Sequence, residues 1–267
     1  MALDTSTPVF GIDVSHHQGV IDWQHLAKTP NLSWAYLKAS EGSTFVDKRF
    51  ASNAAGAIEA GLPVGAYHYA RPNNNTPESE ADHFLATIAT AGGQQALSLR
   101  PMLDFEEPAS SASASNYPQG ADAIAWIERW FARVKQKTGQ SGVLYTGPNV
   151  LARLGAKNIH LPDTLLWVPR YPNNNDQSLD LNTQAIKLYL GGNYEVDNRL
   201  PNWSTDIWQY TGHGKIPGLV NPQGKMRSVD MNLTDARTFA RMKTNGGGGM
   251  LFASAAVVAA LVWMANR

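Results

Sequence analysis

Short apolar or aromatic runs recur along the chain: "VFGIDVS", "WAYLKAS", "PVGAYHYA", "RPMLDFEE", "SGVLYTG", "TLLWVPRY", "STDIWQY" and "SVDMNLT". Runs of this length, rich in β-branched and aromatic residues and bounded by turn formers, read as strands. Helix-compatible stretches separate the early ones, most clearly over 50–60, 77–91 and 121–138. Strands alternating with helices predict a parallel sheet with crossovers. Eight strands in about 235 residues predict closure into a barrel. Between the last three strands the helical signal fades, and "YPNNNDQSLDLNTQAIKLYLGGNYEVDNRLPNW" reads as a long loop region. The expected fold class is therefore α/β, a TIM-like barrel of five β/α units followed by three strands.

Composition narrows the function. The 267 residues are 43% hydrophobic, enough for a sizeable core. Lys+Arg and Asp+Glu both number 22, and the absence of a basic stripe argues against nucleic acid as the main partner. There is no cysteine, so neither a disulfide framework nor a thiolate metal site can form. His16 and His17 resemble a metal pair, but neighbours on an extended chain face opposite ways. No metal and no cofactor are expected. "MALDTSTPVFGIDVS" has no basic n-region and no apolar h-region, so no Sec-type signal peptide is expected there. The abundant Trp, Tyr and Phe suit a sugar-binding cleft and equally an ordinary core.

In a barrel, the loops after the strands' C-terminal ends form the active-site face. The runs end in Asp13; Lys38 and Glu41; Tyr67, His68 and Tyr69; Asp104, Glu106 and Glu107; Tyr145; Trp167, Arg170 and Tyr171; Trp208, Gln209 and Tyr210; and Asp230 and Asn232. Polar groups from all eight would converge there. Asp104 and Glu106 are two apart, so on a strand they share a face, with Cα atoms roughly 6.5–7 Å apart. Leu103 and Phe105 then point toward the helices. Carboxyl groups so close cannot ionise independently, and Asp13 and Asp230 push the same way. An acid kept protonated near neutral pH is what glycosidic cleavage needs. Each residue has a plainer reading as well: a solvated strand end for D-x-E, a turn cap for Asp13, an Asx turn for Asp230, and core positions for Trp167 and Trp208.

Together, "FGIDVSHHQGVIDW", "WAYLKASEGSTFVDKRF", "VGAYHYARP", "PMLDFEE", "DIWQY" and "VDMNLT" resemble the family 25 glycoside hydrolases, lysozymes of the Chalaropsis type found in bacteria, fungi and phages. The resemblance runs from about Val9 to Ala240. It implies a (β/α)5(β)3 barrel and an N-acetylmuramidase cutting the β-1,4 bond between N-acetylmuramic acid and N-acetylglucosamine. It further implies Glu106 as general acid and Asp104 as the group that stabilises charge or orients the substrate's 2-acetamido group. Asp13 and Asp230 become supporting acids. Tyr67, Tyr145 and Trp208 fall where family members hold sugar rings; with Trp167, Gln209 and Lys38 from the other strand ends they are the candidate substrate-binding residues. The partner is the peptidoglycan glycan strand. Retaining, inverting and substrate-assisted routes stay open at this point. So does a peptidoglycan-binding or virion-associated structural protein on the same barrel.

The end of the chain differs. Residues 1–240 form the expected barrel, 241–249 a Gly-rich linker and 250–266 a hydrophobic tail helix. From Met250 to Ala265 there are 16 residues without a charge. That falls short of the ~20 of a spanning helix, and Trp263 suits an interfacial anchor. The expectation is a membrane partner through this tail. Arg237, Arg241 and Lys243 precede the run and only Arg267 follows, a bias that keeps the barrel on the cytoplasmic side. Peptidoglycan lies outside. A phage-type endolysin held at the inner membrane until lysis, or a lysin in a virion membrane, reconciles the two.

Overall fold

The structure is a computed structural model that describes residues 8–107, 117–154, 161–171, 205–220 and 224–244. Its strands are β1 (Pro8–Val14), β2 (Leu32–Glu41), β3 (Phe45–Val46), β4 (Val64–Tyr69), β5 (Met102–Asp104), β6 (Val143–Tyr145), β7 (Leu165–Pro169), β8 (Ile207–Gly214) and β9 (Val229–Asp235). The helices are α1 (Trp23–Leu26), α2 (Phe50–Glu59), α3 (Pro77–Ala89), α4 (Gly120–Thr138), α5 (Pro148–Leu154) and α6 (Ala236–Met242). β1 pairs with both β2 and β9, closing an eight-strand ring through β4, β5, β6, β7 and β8. Helices α1 to α5 follow β1, β2, β4, β5 and β6, which gives five β/α units and then three strands.

Two features depart from the sequence reading. β9 runs antiparallel to both β8 and β1, so the sheet is mixed and not wholly parallel. Residues 215–228 join β8 to β9 with no helix among their described residues, and without a crossover helix the chain comes back running the other way. Also, β3 folds back on the end of β2 as a short hairpin outside the ring, with Phe45 and Val46 exposed. Met242 is fully buried, and Thr244 donates its N–H to the Ser98 carbonyl, so the packed unit reaches 244 and position 240 falls inside α6. Most of the expected long loop (171–203) and the whole tail lie outside the described residues.

Helix boundaries follow local chemistry. Thr76 caps α3 by accepting the Ser79 N–H, with Pro77 in the first turn, where its missing N–H costs nothing. Helix α4 stops at Gly139, at φ +72°, a left-handed conformation that glycine adopts freely. Among the buried residues of α4, Ala123, Ile127, Trp130 and Val134 recur at three- and four-residue steps and, with Ile124, Trp126 and Phe131 beside them, form the stripe that packs on the barrel.

Alternation along the strands builds two cores. Outward residues such as Ile12, Leu37, Leu103 and Leu144 meet the helices. Inward residues fill the barrel: Trp34, Tyr36 and Trp167 pack edge to face, with ring centroids 5.3–5.9 Å apart. These rings need room on neighbouring strands. A Cβ on Gly11 would sit 2.0 Å from the Trp34 ring, and one on Gly65 would sit 2.4 Å from Tyr36. Gly11→Ala should therefore destabilise the fold by about 3 kcal/mol, the upper range for a forced extra methyl in a packed core. Urea unfolding of the purified variant checks this, and an unchanged midpoint would mean that the floor is loosely packed.

Candidate active site

The packed floor leaves a cleft of about 340 Å³ at the open end of the barrel. Asp13, Lys38, Tyr67, Tyr69, Asp104, Glu106, Tyr145, Tyr171, Gln209 and Asp230 line it. Strand register explains the gathering. Tyr69, Asp104 and Tyr145 lie side by side across β4, β5 and β6. Asp13 and Asp230 are paired across β1 and β9. Because β9 is reversed, its beginning, not its end, reaches the mouth, and that is where Asp230 stands.

Glu106 lies two residues beyond the end of β5, not within it. The alternation still holds there. The Phe105 N–H donates to the Tyr145 carbonyl, and the Thr146 hydroxyl donates to the Phe105 carbonyl, so the segment stays extended. Phe105 turns outward against Tyr117 and Trp126, while Asp104 and Glu106 both turn into the cleft. The Tyr117 hydroxyl donates to the Glu106 carbonyl at 2.6 Å and fixes the backbone there. Glu107 leaves the cleft and pairs with Arg153.

Burial raises all four acids above their ordinary values, against unequal opposition. Burial pushes Asp104 well above the usual carboxylate range, and the Glu106 charge adds to the effect. Burial likewise raises Glu106; the Tyr69 hydroxyl bonded to it opposes the shift and the Asp13 charge reinforces it. Asp230 is pushed well up by burial and then by Asp13. Asp13 is raised by burial but held back by hydrogen bonds from Asn232 and Gln209. The Asp104 Oδ1 is buried without a hydrogen-bond partner among the described residues.

The candidate binding residues divide. Tyr67, Tyr145, Gln209 and Lys38 stand in the cleft wall. Lys38 Nζ is 2.6 Å from Glu41, which also binds Arg71, and lies 4.8 Å from the centre of the Tyr69 ring. Neither tryptophan offers a sugar platform. Trp167 is fully buried in the barrel floor, and its indole N–H donates to Asn232 at 3.0 Å. Trp208 faces outward into the helix-side core, between the inward Ile207 and Gln209, and its N–H donates to the Arg170 carbonyl. That bond anchors the turn carrying Tyr171. His16 is held by Asp47 at 2.7 Å. Tyr69, Tyr171 and Asn232 end strand runs in the sequence but have no assigned role there. Only the folded register places Tyr69 against Glu106 and Asn232 against Asp13.

Carboxyl groups gathered among phenols at a barrel mouth fit the class of glycoside hydrolases. The comparisons give the family. The model for glycosyl hydrolases family 25 matches residues 12–219, and the chain belongs to that family. It is 32% identical over 217 residues to Lysozyme M1 of Streptomyces globisporus, covering 81% of this chain and 66% of that one. It is 31% identical over 146 residues to the N,O-diacetylmuramidase of Chalaropsis sp, covering 53% and 67%. The chain thus spans about two thirds of the length of these curated relatives. The bacterial lysozyme structure from Streptomyces coelicolor superposes with a TM-score of 0.65 at 27% identity, covering 90% of this chain and 99% of that one. The barrel expected from the strand pattern is therefore the family's barrel.

Proposed function

We propose that the protein is a peptidoglycan hydrolase that cuts the β-1,4 bond between N-acetylmuramic acid and N-acetylglucosamine. The observation that carries this reading is the pairing at the mouth of the cleft. Burial shifts Glu106 toward its protonated form, and it stands beside Asp104, whose Oδ1 has no partner among the described residues. The names of the similar proteins, a lysozyme and an N,O-diacetylmuramidase, support the same bond class.

The chemistry follows the substrate-assisted route. In the free cleft burial raises both carboxyls, Asp104 and Glu106, above their ordinary values. A bound sugar changes both. Its acetamide N–H donates to Asp104 Oδ1 and favours the ionised form there, while the ring covers Glu106 and favours the neutral form. Glu106 then gives its proton to the departing glycosidic oxygen as the C1–O bond breaks. The acetamide oxygen, made more nucleophilic by Asp104, forms the new bond to C1. Water opens that ring and returns a proton to Glu106.

Mass spectrometry of soluble fragments from purified cell walls tests the reading. The expected products are muropeptides with N-acetylmuramic acid at the new reducing end. Walls that are bound but release nothing would assign the barrel a binding role. Fragments reducing at N-acetylglucosamine would reject the linkage.

The charge-free run 250–265 supports a further part of this reading, a membrane anchor of the kind a phage-type endolysin held at a membrane would need. Among the described residues no helix is long and apolar enough to cross a membrane, and this run lies outside them. Full-length protein should sediment with membranes, and a chain lacking 246–267 should stay in the supernatant. Identical partitioning of the two would remove the anchor.

A further inference from the structure

Asp13 is held differently from the other three acids, and side-chain chemistry shows how. The indole N–H of Trp167 can only donate. Its 3.0 Å bond to Asn232 therefore identifies the amide oxygen, and the Asn232 nitrogen must be the atom 2.8 Å from Asp13 Oδ2. Gln209 repeats the arrangement. Its oxygen accepts from the Tyr145 hydroxyl at 2.9 Å and the Tyr171 hydroxyl at 2.5 Å, and its nitrogen lies 3.0 Å from the same Asp13 Oδ2. As placed, this orientation lets both phenols donate to the amide oxygen and gives Asp13 Oδ2 a second amide donor beside Asn232. Two amides that can only donate thus meet one carboxyl oxygen, and both are themselves fixed from behind.

We infer that Trp167–Asn232 and Tyr145/Tyr171–Gln209 form a rigid donor clamp that keeps Asp13 ionised, assigns the proton of the Asp13–Asp230 pair to Asp230, and thereby holds Glu106 in its protonated state. Asn232, Gln209 and Trp167 are positioning residues in this account, since they act on Glu106 only through Asp13. It rests on the reading of Glu106 as the general acid.

The surrounding charges make Asp13 decisive. Lys38 and Arg71 favour loss of the Glu106 proton, but Glu41 binds both. Asp104 and Asp230 are driven toward their neutral forms by burial. The phenols of Tyr67, Tyr69, Tyr145 and Tyr171 are pushed further from ionisation by burial. His17 also reaches the cleft, and Asp47 is held by His16. Asp13 is the carboxylate whose charge is fixed by neutral donors, and a negative neighbour raises the pH at which Glu106 loses its proton.

Carboxyl 13C NMR of the wild-type protein reads the proton directly and needs no variant. Asp13 should titrate as the ionised member of the pair and Asp230 as the protonated one; the reverse assignment overturns the inference. Asn232→Leu and Gln209→Met then test the consequence. With fewer donors Asp13 becomes easier to protonate, Glu106 loses its negative neighbour, and the alkaline limb of kcat/KM should move to lower pH by roughly half to one unit. Tyr171→Phe, at the rim, should move it the same way by less. Circular dichroism verifies folding. Folded variants with reduced rates and an unmoved limb would leave these residues a structural role only. Glu106→Gln separates the two failures: if it keeps wild-type activity, the general acid is elsewhere, while the NMR assignment still decides the clamp.

Discussion

Glu106→Gln should retain the fold and lose roughly 100- to 10,000-fold in kcat on cell walls, the range a positioned general acid supplies. The amide has nearly the shape of the acid and still meets the Tyr69 hydroxyl, so substrate binding should change little. It has no proton to give a departing sugar oxygen. The loss should therefore fall on kcat and spare KM. Turbidity clearing, with circular dichroism as the folding control, measures it. A folded variant with full clearing would move the acid to another residue.

The second large effect is on stability, away from the cleft. Glu80 is fully buried on α3 and accepts from the His68 ring at 2.8 Å, from the Asn75 amide at 2.9 Å and from the Arg71 backbone N–H at 3.1 Å. His68, equally buried, meets the Ser40 hydroxyl on its other nitrogen at 2.8 Å and stacks on Trp130. Glu80→Ala would strand all three donors in the interior. It should cost about 3–5 kcal/mol, as for several buried donors left unsatisfied at about 1–3 kcal/mol each, and should lower the thermal midpoint by many degrees. Because Glu80 also fixes the start of the segment carrying Arg71, activity should fall with stability. Calorimetry checks this, and a midpoint within about 2 °C of wild type would show that water replaces the carboxylate. In the wild type, burial depresses the His68 pKa. The unfolded chain therefore binds more protons than the folded one as pH falls below the ordinary histidine value of about 6.5, and stability should decline there.

The sequence carries these features unequally. The alternation of Leu103 and Phe105 with Asp104 and Glu106 is legible, because a strand's period of two leaves little choice of face. That pattern persists past the last ladder residue, so Glu106 is correctly aimed although it lies outside β5. The tryptophans are not legible in the same way. A Trp near a strand end has one appearance whether it fills the floor, faces the helices or lines the mouth, and a shift of one residue exchanges the faces. Trp167 and Trp208 fall into the first two cases. For Asp230 the position is readable and the strand direction is not. An alternating run reads equally well both ways, and only the connection decides. The Asn232 and Gln209 amides needed the register between β8 and β9 before their shared target could be seen. Glu80 did leave a trace, a charge on the apolar face of α3 between Pro77, Ala81 and Phe84.

A crowded, buried set of carboxyl groups should hold a proton on Glu106 at working pH, ready for the leaving sugar. The pH dependence of kcat/KM for the wild-type enzyme tests it most directly. An alkaline limb should lie above the ordinary glutamate value of about 4.3, carried by Glu106 and absent from the residual rate of Glu106→Gln. A limb at the ordinary value, or one that survives unchanged in that variant, would contradict it.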